Sequence, residues 1–213
     1  MNNKEGYCIT DEEEQFFETI KNTTQLVFDV GCRNDSAFTK FSGEVHYFDP
    51  VKEFIDDLKT QTNINSKSYF NNFGLSMENK DMNYYPKYQS FHDRFVSCGT
   101  SDDGNKFTLS VRKASDYIEE HNITQIGFLK IDTEGHEFDV IKGFGDKLKL
   151  VKVIQFEYGG TYLDNGVNLR DVIDYLKSYG FEGFAYLKHN GTAVLTNYDD
   201  HYQYSNIVCF NSS

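Results

Sequence analysis

The sequence predicts an α/β protein built on a mostly parallel, Rossmann-like sheet, and three observations carry that expectation. Short apolar runs of strand length recur and close in an acid, a proline or a glycine: Leu26-Val27-Phe28-Asp29-Val30-Gly31, Val45-His46-Tyr47-Phe48-Asp49-Pro50 and Phe128-Leu129-Lys130-Ile131-Asp132. Segments with the apolar spacing of helices lie between them, the alternation of βαβ units. The 213 residues suit one domain with a substantial core, with no internal repeat or interdomain linker.

The elements follow in order. Residues 10–21 read as a helix with Thr10 or Asp11 as cap and Phe16, Phe17 and Ile20 on one side. Residues 1–24 are thus expected to be a helical cover over one end of the sheet, functionally silent. Residues 26–31 form the first strand, Cys32-Arg33-Asn34-Asp35-Ser36 a loop, and a helix is expected through Phe38 and Phe41. The second strand, 45–50, leads into a helix over 51–58, and Ser68 to Ser76 is the third strand with its exit.

Between 77 and 104 the pattern dissolves into Tyr84-Tyr85-Pro86-Lys87-Tyr88 and Phe91-His92-Asp93. A loop this long in a compact domain is expected to be functional or disordered, and its aromatics either suit the apolar faces of a sugar at an acceptor site or belong to an ordinary surface loop. A short strand over 106–111 and a helix capped by Ser115 lead to the fourth strand, which ends at Asp132. Residues 151–158 are the fifth strand, 167–179 a helix stopping at Gly180, and 181–187 and 205–210 two last strands. A short link through His189-Asn190-Gly191-Thr192 makes the terminal strand antiparallel to its neighbours.

The formal net charge of −12 argues against a nucleic-acid footprint or docking on an anionic membrane, both of which need clustered basic residues. Small molecules or neutral glycans fit better. Cys8, Cys32, Cys98 and Cys209 are scattered without metal-type spacing and read as free thiols of a reducing compartment. An acidic start, Asp11-Glu12-Glu13-Glu14, and no apolar run of bilayer length give the expectation of a cytoplasmic protein.

Ligands of open α/β sheets sit outside the carboxyl ends of the strands, so Asp132, Glu134 and His136 after the fourth strand and Glu157 after the fifth are the candidate catalytic residues. Carboxylates crowded together raise a pKa or recruit a cation, which makes Asp132, Glu134 and Glu157 a candidate Mg²⁺ or Mn²⁺ set as well. Glu137 and Asp139 are expected to face solvent on the next helix, while His136 is open between the site and an exposed helix start. Asp49 can accept both ribose hydroxyls of an adenosine, or simply cap the helix after it.

Lys130-Ile131-Asp132-Thr133-Glu134-Gly135-His136-Glu137, followed by Val140-Ile141-Lys142-Gly143, resembles the signature of the FkbM-type methyltransferases. These S-adenosylmethionine-dependent enzymes mostly methylate hydroxyl groups of sugars, glycans and polyketides. The resemblance runs from about residue 26 to 210. It implies the class I methyltransferase fold: a mostly parallel seven-stranded sheet with helices on both faces and an antiparallel last strand. It also implies S-adenosylmethionine as cofactor, held by Asp29, Gly31, Cys32 and Arg33 in the first loop, by Asp49 and Pro50, and by Gly74 and Leu75 beside the adenine. The expected reaction is methylation of a sugar or glycan hydroxyl. Two alternatives stay open. Asp102-Asp103 could hold a metal and a nucleotide sugar in a glycosyltransferase. The first loop, with Cys32, Arg33 and Asp35 where the family usually carries Ala-Asn-x-Gly, could belong to a non-catalytic nucleotide-binding module.

Overall fold

The computed structural model describes residues 10–61, 67–101, 104–189 and 191–212. Cys8, Asp102, Asp103 and Asn190 lie outside the described residues, as do the side chains of Thr10 and Asp11 proposed as a helix cap.

Along the chain come α1 (Thr10–Ile20), β1 (Leu26–Val30), β2 (Glu44–Phe48), α2 (Lys52–Lys59), β3 (Ser68–Asn71), β4 (Gly74–Ser76), β5 (Lys80–Tyr84) and α3 (Phe95–Cys98). Then follow β6 (Phe107–Lys113), α4 (Ala114–Glu120), β7 (Ile126–Ile131), α5 (Glu137–Gly143), β8 (Val151–Tyr158), α6 (Tyr162–Asn165), α7 (Leu169–Ser178), β9 (Phe181–Lys188), β10 (Gly191–Val194) and β11 (Ser205–Asn211). The main sheet has the order β10-β9-β11-β8-β7-β1-β2-β3. The strands from β3 through β8 are parallel, and β11 runs antiparallel between β8 and β9. This is the expected seven-stranded arrangement, with β10 added as an eighth strand by an antiparallel pairing to β9.

Alternate residues along each strand serve opposite faces, so each strand feeds two cores. Phe28, Val30, Phe48, Leu129, Ile131, Ile154 and Phe156 pack with α4, α5 and α7 on one face. Val27, Val45, Tyr47 and Phe128 pack on the other with Phe16 and Phe17 of α1 and Ile55 and Leu58 of α2. Helix α1 therefore covers a face of the sheet rather than one end, with Phe17 against Phe38, Phe41 and Phe128.

Four expectations need correction. No helix runs through Phe38 and Phe41; the segment is a series of turns, with the Ser36 hydroxyl accepting the Phe38 N–H at 3.2 Å. A three-residue apolar spacing suits such turns as well as a helix. The third strand is two: β3 belongs to the main sheet, while β4 joins a separate small sheet of order β4-β6-β5. The long segment after it is not loop throughout, because β5 pairs antiparallel with β6 and α3 forms a single helical turn. Ser115 lies inside α4 rather than at its cap, since the helix already begins at Ala114.

Candidate active site

A cleft opens at the carboxyl ends of β1, β2 and β7. Of the residues expected to bind a cofactor, Gly31, Arg33, Asp49, Pro50, Gly74 and Leu75 line it; of the expected catalytic residues, Asp132, Glu134 and His136 do. Asp29 and Cys32 do not reach the cleft. Asp29 is buried and accepts a hydrogen bond from the Ser36 hydroxyl, and Cys32 is packed into the core beneath α1.

Asp49 closes β2 with its carboxylate held by backbone. The N–H of Arg33 donates to Oδ2 at 3.1 Å and that of Val51 to Oδ1 at 2.8 Å. Asp49 does not cap α2, whose N-cap is Val51 without a side-chain capping bond; its bond to the Val51 N–H is a local turn just before the helix. Burial pushes its carboxyl up to about 6, against the pull of these N–H donors. Phe54, Tyr84 and Phe91 add aromatic walls.

Past β7 the chain bends through two left-handed residues, Glu134 (φ +54°) and Gly135 (φ +103°). That bend brings Asp132 and Glu134 to Glu157 at the end of β8, with one carboxylate oxygen from each lying within 4.8 Å of the others. Glu157 converges on the acids as expected but does not line the cleft itself. Burial, with Asp132, Glu137 and Glu13 nearby, pushes its carboxyl up to about 9 despite Lys130. Glu157 is therefore protonated near neutrality. Glu134 is ion-paired with the guanidinium of Arg94, whose Nη1 also donates to the Tyr204 hydroxyl at 3.3 Å. The Nε of Arg94 is buried without a hydrogen-bond partner.

Glu137 does not face solvent, contrary to expectation. It is 1 % exposed and turns back under the bend, where Oε1 accepts from the Thr133 N–H at 2.9 Å, the Thr133 hydroxyl at 3.0 Å and the Gly135 N–H at 3.1 Å. Asp139 is also largely covered, and Lys142 pairs with it at 2.6 Å. His136 is not exposed either. It is fully buried, its Nε2 lying 3.0 Å from the Ser76 hydroxyl and its Nδ1 3.0 Å from Nε2 of His92. It shares the cleft with Asp132 and Glu134 but joins a different polar cluster. Burial, with His92 adding to it, holds the His136 imidazole down at about 3, hence neutral.

A polar stripe runs beneath α1 toward these acids. Asp29, Lys130 and Gln155 occupy strand positions on the α1 face, and Glu13 reaches down from the helix to Gln155 at 2.7 Å and to Lys130 at 4.0 Å. Lys130 also pairs with Asp132 at 3.3 Å. Burial works against the Lys130 charge, but Asp132, Glu13 and Asp29 outweigh it and hold the ammonium form. Glu13, pushed up to about 7 by burial, is thus part of the electrostatics of a helix expected to be silent.

Sequence reasoning missed Glu13, His92 and Arg94 as site residues, and none of them carried a signal that set it apart. Tyr84 and Phe91 belong to the aromatic segment expected to contribute to an acceptor site, and both line the cleft.

Comparison with known proteins agrees with this fold. A family model described as Methyltransferase FkbM domain matches residues 29–182. The fold resembles the Streptococcus mutans protein SMU.1697c in complex with SAH: TM-score 0.51, 10 % identity, 93 % of this chain and 97 % of that one. It also resembles the N-methyltransferase NodS from Bradyrhizobium japonicum (TM-score 0.52, 6 % identity, 96 % and 97 % covered). A TehB-like SAM-dependent methyltransferase from Corynebacterium glutamicum gives TM-score 0.50 at 10 % identity over 94 % and 88 % of the two chains. A search of curated proteins returns no match. No helix among the described residues is long and apolar enough to cross a membrane. With the class I sheet order and a family match over most of its length, the chain belongs to the FkbM family of S-adenosylmethionine-dependent methyltransferases.

Proposed function

We propose that this domain transfers the methyl group of S-adenosylmethionine to a hydroxyl of a sugar or glycan acceptor. The observation that carries the reading is continuity: one cleft runs from Asp49, suited to a ribose, to Asp132 and Glu134. Asp49, Pro50, Gly74 and Leu75, with the walls of Phe54 and Tyr84, would hold the nucleoside part of S-adenosylmethionine, and Gly31 would leave room for the rest. Bound there, the cofactor would supply an electrophilic methyl group, its carbon–sulfur electrons passing to sulfur on transfer to the acceptor oxygen, and the chain itself must take up the hydroxyl proton on a base. Asp132 is that base: it lines the cleft, whereas Glu157 already carries a proton near neutrality and serves as a hydrogen-bond donor beside it. Positioning the oxygen in line supplies the larger part of the rate, on the order of 7–11 kcal/mol.

Asp132, Glu134 and Glu157 would offer three hard oxygen donors to Mg²⁺ or Mn²⁺, provided the ion displaces the Glu157 proton, since a carboxyl group ligates in its ionised form. Such an ion would polarise the acceptor hydroxyl. Lys130 and Arg94 already set cations against two of these carboxylates. Free thiols at Cys32, Cys98 and Cys209 suit the cytoplasm as the working compartment.

Calorimetric titration with S-adenosylmethionine and S-adenosylhomocysteine, with NAD and a nucleotide sugar as controls and with or without Mg²⁺ or Mn²⁺, tests the cofactor. Selective binding of the two adenosyl compounds, followed by methylation of a glycan in an acceptor screen, is the expected result. A nucleotide sugar binding in their place would overturn it.

A further inference from the structure

We propose that His92, His136 and Asp139 form a structural site for a zinc-class dication, separate from the acidic centre, that pins the segment carrying Phe91 to the signature helix α5. One ligand atom from each residue lies within 4.8 Å of the others. His92 Nε2 and His136 Nδ1 are 3.0 Å apart, and Asp139 Oδ2 is 3.6 Å from the same Nδ1. With metal–ligand bonds of about 2.0–2.1 Å, neighbouring ligands of a tetrahedral ion lie roughly 3.3 Å apart, a value these two separations bracket. An imidazole–imidazole hydrogen bond alone accounts for the first distance. It leaves the second unexplained, because 3.6 Å is too long for a hydrogen bond.

The outer atoms of His136 and Asp139 are already held, as metal ligands require, and His92 is anchored through its backbone. Nε2 of His136 contacts the Ser76 hydroxyl at 3.0 Å, which leaves Nδ1 for the ion. Lys142 takes Oδ1 of Asp139 at 2.6 Å, which leaves Oδ2. On the other strand of the clamp, the His92 N–H donates to the Ser90 hydroxyl at 3.0 Å, and that hydroxyl donates to the Glu134 carbonyl at 2.7 Å. Two imidazoles and one carboxylate select a borderline ion such as Zn²⁺ over Mg²⁺, with a fourth position for water. The ion would tie Phe91, a wall of the cleft, to the helix that begins beside Glu134.

The test is zinc titration of the chelator-stripped full chain in competition with a chromophoric chelator, repeated with Co²⁺ for its tetrahedral absorption. About one equivalent should bind with a tetrahedral cobalt spectrum. His92→Ala and Asp139→Asn should each abolish the spectrum, the second with little change of shape. Ser76→Ala should weaken zinc roughly 10–100-fold, the usual cost of losing an outer-shell partner. Asp132→Asn should leave binding intact. No binding, binding that survives both His92→Ala and Asp139→Asn, or loss of binding in Asp132→Asn would overturn the site.

Discussion

The backbone carbonyl of Asp132 occupies the place where a side chain on Gly31 would have to go: a Cβ there would lie 1.8 Å from the carbonyl oxygen, and Gly31 holds φ at +78°. The same strand ends are tied by the Asp132 N–H donating to the Val30 carbonyl at 3.0 Å. Glycine at the end of β1 is therefore imposed by its neighbour β7, quite apart from any cofactor.

Gly31→Ala combines a backbone clash with a left-handed alanine, and should cost about 2–4 kcal/mol of folding stability. Urea unfolding followed by circular dichroism measures it. A midpoint equal to that of the parent would mean the two strand ends do not meet this closely.

Arg94 reaches Glu134 across 40 residues of sequence and lies outside the residues lining the cleft. Arg94→Ala should lower kcat/KM for the acceptor roughly 10–100-fold, since hydrogen bonds to charged groups contribute about 1.5–3 kcal/mol. The affinity for S-adenosylhomocysteine should barely move. If cofactor affinity falls in step with turnover, Arg94 acts on the cleft as a whole rather than on Glu134.

Glu137→Ala should be among the most damaging changes outside the cleft. It strips the acceptor from the buried N–H of Gly135, a loss that costs on the order of 1–3 kcal/mol, and from the half-buried N–H of Thr133, which costs less. A fall in thermal midpoint well beyond that of Glu137→Gln, which keeps one carbonyl oxygen for these donors, is the expected pattern. Equal midpoints for the two variants would refute the capping role.

What the sequence made legible follows from period. The parallel core strands are continuous apolar runs that stop at Asp29-Val30-Gly31, Asp49 and Asp132, so the strands and the cleft at their ends could be read without coordinates, whereas their arrangement in the sheet followed from the family resemblance. The β5 strand could not, because Lys80-Asp81-Met82-Asn83-Tyr84 shows almost no apolar alternation and buries only Tyr84, at the edge of a small sheet. Glu137 was misread for a different reason. Helical spacing placed it among polar residues, whereas the left-handed bend at Glu134 and Gly135 leaves N–H donors that need an acceptor from inside the fold. His92 and Arg94 depend on contacts 40 or more residues away, and no local pattern announces them.

The pH dependence of nucleoside binding isolates Asp49. Its carboxyl, raised to about 6 by burial, must be ionised to accept the ribose hydroxyls. Protonation removes that acceptor, so affinity should be full above pH 7 and fall as pH drops through 6. At pH 5 only about a tenth of the carboxyl is ionised, which corresponds to a roughly tenfold weaker Kd if only the ionised form binds. Adenosine is the better probe than the whole cofactor, because it lacks the amino and carboxyl groups that answer to other charges in the cleft. Binding itself stabilises the carboxylate, so protons should be released on complex formation near pH 6, and calorimetry in buffers of different ionisation enthalpy detects this. Asp49→Asn should bind adenosine weakly and without the pH step. A wild-type profile that is flat between pH 5 and 8, or a step that persists in Asp49→Asn, would remove Asp49 from the ribose.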